Sequence, residues 1–160
     1  MRPTSLAMAL LAIAGLAQAG VVEVTYIEPE KFTDAGRGRS LEEVQVALSG
    51  HLKKLGEKAL PAQQKLTIEV LDVDLAGEVR PTRRMWPDTR VLSGRADWPQ
   101  LSLRYTLREG DRVIGRGEDR LSDMNYLFTG RMDSQRNADT LPYEKRMLTE
   151  WFNQRFAPKP

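Results

Sequence analysis

The spacing of apolar residues predicts two amphipathic helices. In the first, apolar residues recur at steps of three and four, as they do on the buried face of a helix: Leu41, Val44, Leu48, Leu52, Leu55 and Ala59. Ser40 and Glu43 form the S-x-x-E capping box of a helix start, and Leu60-Pro61 ends this helix. The second helix begins at Thr140 and Pro142, and its stripe comprises Tyr143, Met147, Leu148, Trp151, Phe152 and Phe156.

Alternation of apolar and polar residues predicts the strands, at about 21–28, 66–75, 91–96, 101–107 and 113–121. The second of these changes phase, because Leu66, Ile68 and Val70 occupy one face while Leu71, Val73 and Leu75 occupy the other. Such a change requires an extra residue, so we expect a β-bulge near Val70 and Leu71, beyond which Asp72 and Asp74 project away from the core. Residues 108–112 are predicted to form a hairpin turn, and 78–90, with two prolines, an irregular loop.

The order of these elements predicts an α+β fold. We expect a two-layer sandwich, with two amphipathic helices packed on one mostly antiparallel sheet of about four to five strands. Gly115 and Gly117 fall on one face of the last strand, which indicates close approach by another element.

The N-terminal residues have the order of a secretory signal peptide. Arg2 is followed by the apolar stretch 6–16 and then by Ala17-Gln18-Ala19, a small-x-small cleavage box. The stretch is too short for a membrane span, which needs roughly 20 residues. We therefore predict a signal peptide at 1–19, cleaved after Ala19, and a single exported α+β domain at 20–160, with the bacterial periplasm as the expected location.

Composition narrows the possible functions of this domain. Without Arg2, 23 basic side chains face 22 acidic ones, a balance that argues against nucleic acid as the partner. The chain has one histidine and no cysteine, so a transition-metal centre, haem or iron–sulfur cluster is not expected, and we predict no cofactor. His51 lies at the edge of the first helical stripe, where a structural role is favoured over that of a general base.

Two sets of residues are candidates for function. The first is a basic segment (residues 80–95) in which arginines, whose planar forks match phosphate and carboxylate groups, accompany a tryptophan: Arg80, Arg83, Arg84, Trp86, Arg90 and Arg95. The alternative is a solvated loop whose arginines pair with nearby acids. The second set would form a cleft: Asp72, Asp74, Asp97, Trp98, Arg104, Asp123 and Tyr126. For Asp97 and Asp123 the favoured alternative is that they accept hydrogen bonds from backbone NH groups in turns.

Five stretches carry a resemblance to a known family. They are VEVTYIEPEKFTD (22–34), LDVDLAGE (71–78), RADWPQLSLRYTL (95–107), LSDMNYL (121–127) and YEKRMLTEWF (143–152). In this order they resemble the bacterial exported proteins grouped as domain-of-unknown-function family 3016. The resemblance implies a secreted bacterial protein of this size, and it implies neither an activity nor catalytic residues.

The sequence therefore favours a non-enzymatic accessory domain that contacts an envelope protein or an anionic envelope ligand through the basic segment, with no predicted membrane span. The alternative is a hydrolase whose carboxylates, such as Asp72, Asp74 and Asp97, share a pocket and have perturbed pKa values. A third possibility is a subunit of a larger complex with an apolar patch around Met85 and Trp86. The oligomeric state is left open.

Overall fold

The computed structural model describes residues 19–36, 40–80, 89–129 and 140–156. The first half of the chain contains β1 (Val21–Tyr26), a short 3-10 helix (Pro29–Lys31), α1 (Leu41–Ala59) and β2 (Gln64–Asp74). The second half contains β3 (Glu78–Arg80), β4 (Thr89–Val91), β5 (Gln100–Glu109), β6 (Arg112–Ser122), α2 (Tyr126–Thr129) and α3 (Pro142–Phe156). The expected α+β class is confirmed.

The larger sheet has the strand order β1-β2-β5-β6 and is mixed. β1 and β2 are parallel, since α1 lies between them in the chain, whereas β2–β5 and β5–β6 are antiparallel. The register of β2 against β5 shifts between Val70 and Asp72, which confirms the predicted bulge and leaves Leu71 as the extra residue. Because of this shift, Val73 is buried on the same side as Val70 although the two are three positions apart.

The core combines side chains from the sheet and from the two long helices. Its fully buried members come from both helices and from the central strands, and they include Leu48, Leu52, Leu66, Ile68, Leu103, Leu148 and Phe152. The predicted cap of α1 is present, because Ser40 Oγ accepts a hydrogen bond from Glu43 N at 3.1 Å. The two helices are joined by His51 Nε2 and Thr149 Oγ1, 2.8 Å apart, so His51 makes a structural contact.

The expected close approach at the glycines of β6 is seen at Gly117. A Cβ there would lie 2.9 Å from the hydroxyl of Tyr105, whose ring packs edge-on against Trp151 and Phe156 at centroid distances of 5.9 and 5.3 Å. The group that comes close to Gly117 is therefore the ring of Tyr105, on the neighbouring strand β5. At Gly115 a Cβ would have only ordinary contact, with Leu107 at 3.7 Å.

Two predictions about the middle of the chain are wrong. A strand is expected at 91–96, but Val91 is already the last residue of β4. A loop is expected at 78–90, but its first residues form β3. These short strands pair with each other, Glu78 with Val91 and Arg80 with Thr89, in a separate two-stranded sheet. Three residues per strand are too few for the alternation pattern to be recognised. The predicted signal peptide, apart from Ala19, lies outside the described residues.

Candidate functional site

The candidate site lies at the end of β2 beyond the bulge, where the loop that contains Asp34 pairs with this strand. Asp34 N donates to the carbonyl oxygen of Val73 at 3.0 Å, and Leu75 N donates to that of Asp34 at 3.0 Å. Asp72 fixes this return, because its carboxylate accepts hydrogen bonds from the NH and the hydroxyl of Thr33, both at 2.8 Å. The loop 33–35 thus places the carboxyl of Asp34 beside the end of β2.

Arg90, on β4, joins this corner to the small sheet. Its Nη1 donates to the carbonyl oxygens of Gly77, Ala76 and Leu75 at 2.8, 3.2 and 3.3 Å. Its Nη2 lies 3.0 Å from Asp34 Oδ2 in an ion pair whose side chains are only 19% and 18% exposed. The guanidinium therefore holds the chain between β2 and β3 in place.

A pocket of about 310 Å³ opens at this corner, and we call it the acidic pocket. It is lined by Asp34, Asp74, Leu75, Gly77, Glu78, Val79, Ala96, Asp97 and Trp98. Burial raises the pKa of Asp74, and the charges of Asp34 and Asp72 raise it further, while Arg90 opposes them. Several carboxylates beside one indole suit a cationic group better than an anionic one.

Asp97 forms the far wall of the pocket and is only 7% exposed. Its Oδ2 accepts hydrogen bonds from the NH and the hydroxyl of Ser93 at 2.6 and 2.8 Å, as expected of a turn acceptor. Burial alone would raise the pKa of Asp97, but these bonds and the hydroxyl of Tyr126 bring it below its usual value. Burial, together with Asp97, raises the pKa of Tyr126 to about 12, so this hydroxyl stays protonated at neutral pH.

A second group of polar residues connects α3 with the rest of the chain. Glu144, on α3, is 2% exposed, and its Oε1 accepts a hydrogen bond from Ala76 N at 2.8 Å. Asp123 Oδ1 accepts from Asn125 N at 3.0 Å in the predicted turn, and its Oδ2 pairs with Arg146. These contacts connect α3 to Ala76, just after β2, and to Asp123, just after β6.

The structure brings together part of the predicted cleft. Asp74, Asp97 and Trp98 line the acidic pocket, and Asp72 lies beside it. Tyr126 contacts the pocket residue Asp97, and Asp123 pairs with Arg146 on α3. Arg104 is elsewhere, exposed on β5 between Glu69 and Glu118 at 3.1 and 3.3 Å.

The predicted basic segment is described only at its two ends. Arg80 and Arg95 are exposed, while Arg90 is bound to the protein itself as given above. Arg83, Arg84, Met85 and Trp86 lie outside the described residues.

Sequence reasoning missed Asp34 and Glu144. Glu144 had a usable signal, because it precedes Leu148 by four positions and Trp151 by seven, and so lies on the apolar stripe of α3. An acid at such a core position indicates a buried partner. Asp34 carried no comparable signal, since only the sheet register beyond the bulge places it next to Asp74.

The described residues also limit the chemistry of the site. Within them, no three His, Cys, Asp or Glu side chains are arranged so that they could hold a metal ion. No helix in this part of the chain is long and apolar enough to cross a membrane.

Comparison with known proteins identifies the family. A family model described as Protein of unknown function (DUF3016) matches residues 20–154. The chain therefore belongs to this family, as the five stretches indicated. No curated protein matches the chain.

Proposed function

We propose that this member of the DUF3016 family is a non-enzymatic periplasmic binding domain whose partner is an envelope protein. The partner contacts the basic segment with acidic groups and the acidic pocket with a basic side chain. The observation that carries this proposal is the position of the pocket: Glu78 and Val79 line it and also belong to β3, the strand that leads into the basic segment.

The described ends of the basic segment are held in place by the fold, which supports the use of this segment for binding. Arg80 pairs with Thr89, so residues 81–88 connect neighbouring strand ends, and Arg90 holds these strands against the end of β2. Residues held in this way, such as Arg80 and Arg90, have less conformational entropy to lose when a partner binds.

The charges favour a protein partner over an anionic lipid or a lipopolysaccharide phosphate. Asp34, Asp74 and Glu78 face the pocket beside the basic segment, and they would repel an anionic surface that approached both. A protein surface can present both signs of charge in matching positions.

Site-specific photocrosslinking in living cells tests this function. A crosslinker in place of Leu92, which is exposed next to β4, should capture one envelope protein, whereas one in place of exposed Lys53 on α1 should not. Capture should decrease in R83S/R84S and in D74N.

The matched control for R83S/R84S is R108S/R112S, which removes two arginines from the distant β5–β6 hairpin and should leave capture unchanged. Equal capture from positions 92 and 53, or capture insensitive to both R83S/R84S and D74N, would contradict the proposal. Binding to anionic vesicles that only R83S/R84S abolishes would replace the protein partner by a lipid.

A carboxylate-dependent hydrolase is the second candidate, favoured by one observation. Asp74 and Asp97 line the same pocket and their pKa values are shifted in opposite directions, as in pairs that divide the roles of acid and base. Purified protein should then hydrolyse a chromogenic glycoside or ester, and D74N should abolish turnover while R112S does not. Turnover that survives D74N excludes this candidate.

The periplasmic location belongs to the same proposal. Gly20 N donates to the carbonyl oxygen of Leu60 at 2.9 Å, and a Cβ at Gly20 would lie 2.5 Å from Leu60 Cβ. Ala19 is exposed and Gly20 is buried, which is compatible with cleavage after Ala19. Protein recovered from the periplasm should have Gly20 as its N-terminal residue, and a chain that still begins at Met1 would contradict cleavage.

We also propose that α1 and α3 form a single layer on one face of the large sheet. Core side chains from both helices and the His51–Thr149 contact support this arrangement. A cysteine in place of Thr106, on the other face, should react rapidly with a thiol reagent in the native protein, and one in place of Leu103 slowly. Equal rates would contradict a two-layer arrangement.

A further inference from the structure

Strand β6 is a long edge of the sheet. It comprises eleven residues, Arg112–Ser122, and it stands at the end of the order β1-β2-β5-β6. Such a strand presents backbone NH and carbonyl groups that can pair with another strand. Its exposed side chains include Val113 and Ile114, 43% and 40% exposed.

The outer face of the sheet carries a ladder of alternating charge that ends at this edge. Arg104 on β5 lies between Glu69 on β2, at 3.1 Å, and Glu118 on β6, at 3.3 Å. Glu118 is 60% exposed, and its neighbour on the same face of β6 is Arg116, which pairs with Thr106. The ladder would continue if a positive charge were placed opposite Glu118.

We propose that β6 pairs antiparallel with β6 of a second copy of this chain, with the two-fold axis at Gly117. This register places Arg116 of each copy opposite Glu118 of the other, so the ladder Glu69–Arg104–Glu118 of each copy gains a fourth charge from the second copy. Opposite charges at directly facing positions stabilise strand pairing, and like charges destabilise it.

Adjacent registers are less favourable because they face like charges or require pairing across the bulge at Ile114. An axis at Arg116 places that arginine opposite itself. An axis at Glu118 places that glutamate opposite itself and also places Arg116 opposite Arg120. An axis at Asp119 places Glu118 opposite Arg120 but also faces two copies of Asp119, and an axis at Gly115 brings Arg112 opposite Glu118 only across the bulge at Ile114. Of these registers, only the axis at Gly117 pairs opposite charges within a regular run and faces no like charges.

The other face of β6 leaves room at this axis. Gly117 has no side chain and is covered by Tyr105 of its own chain. Gly115 would face Asp119 of the second copy, whose carboxylate is held by Trp151 Nε1 at 2.8 Å and by Arg155. The bulge between Leu107 and Arg108 interrupts the regular strand at Ile114, so the paired run is 115–119.

Sedimentation of the mature chain over a range of concentrations tests the proposal. Wild type should show a reversible monomer–dimer equilibrium that weakens with salt. R116E should raise the dissociation constant on the order of tenfold, because two symmetric pairs change from attractive to repulsive. E118R should have a similar effect, and R116E/E118R, which exchanges the charges, should restore dimerisation.

R112E is the matched control, because Arg112 lies on the same strand outside the paired run. Circular dichroism checks that each variant is folded. A wild type that remains monomeric at every concentration, an R116E variant that dimerises as well as R112E, or a double variant that does not recover would each overturn the proposal.

Discussion

Replacement of Arg90 by methionine tests how the candidate site is held together. Methionine keeps much of the apolar volume but removes the bonds to Gly77 O at 2.8 Å and Asp34 Oδ2 at 3.0 Å. A hydrogen bond to a charged group contributes about 1.5–3 kcal/mol, and removal of one partner of a buried ion pair costs about 3–5 kcal/mol. Because this pair is partly exposed, we expect R90M to lower the free energy of unfolding by about 3 kcal/mol, at the low end of that range.

The loss should depend on pH through Asp74. Arg90 lowers the pKa of Asp74, against burial and the charges of Asp34 and Asp72, so R90M should raise that pKa further. A carboxyl whose folded pKa exceeds its unfolded value destabilises the fold when ionised, and the penalty grows as pH rises through the folded pKa. The stability lost in R90M should therefore be larger at pH 7 than near pH 4, close to the ordinary aspartate pKa.

Urea denaturation followed by tryptophan fluorescence measures these effects. The control is R104M, which removes two exposed ion pairs and should cost under about 1 kcal/mol. Addition of D74N to R90M should recover part of the loss at pH 7 and little of it near pH 4, about the ordinary aspartate pKa. The reasoning is refuted if R90M loses no more than R104M, or if its loss is independent of pH and of D74N.

Two further predictions concern stability. Since Asp97 has a lowered pKa and accepts two bonds from Ser93, D97N should lower the Tm at pH 7. That difference should shrink as pH falls through the lowered pKa, because the ionised form is what stabilises the fold, and a constant difference would contradict this role. In α1, G56A should destabilise by about 1–3 kcal/mol, because its Cβ would lie 2.1 Å from Val22 Cγ2. G50A, whose Cβ meets nothing within 4 Å in the described chain, should stabilise by about 0.5–1 kcal/mol, and equal effects in thermal melts would refute the argument.

The local elements of this protein follow from its sequence. The helical stripes, the Ser40 cap and the phase change at Val70 each depend on residues a few positions apart, and all three are present in the fold. Periodicity also correctly indicated the β5–β6 hairpin, since a turn of two residues leaves little choice of strand direction. Family membership likewise followed from short stretches read in order.

Tertiary structure alone decided which of these elements meet. Arg90 and Asp34 are 56 positions apart, and Ala76 and Glu144 are 68 apart, so no local period connects them. The parallel pairing of β1 with β2 and the bulge together bring Asp34 beside Asp74. The result is an acidic pocket at Asp74, a residue that the sequence predicts only to project away from the core. The physical reason is that alternation fixes which face of a strand is buried, whereas the neighbours of that strand are chosen by the packing of the whole chain.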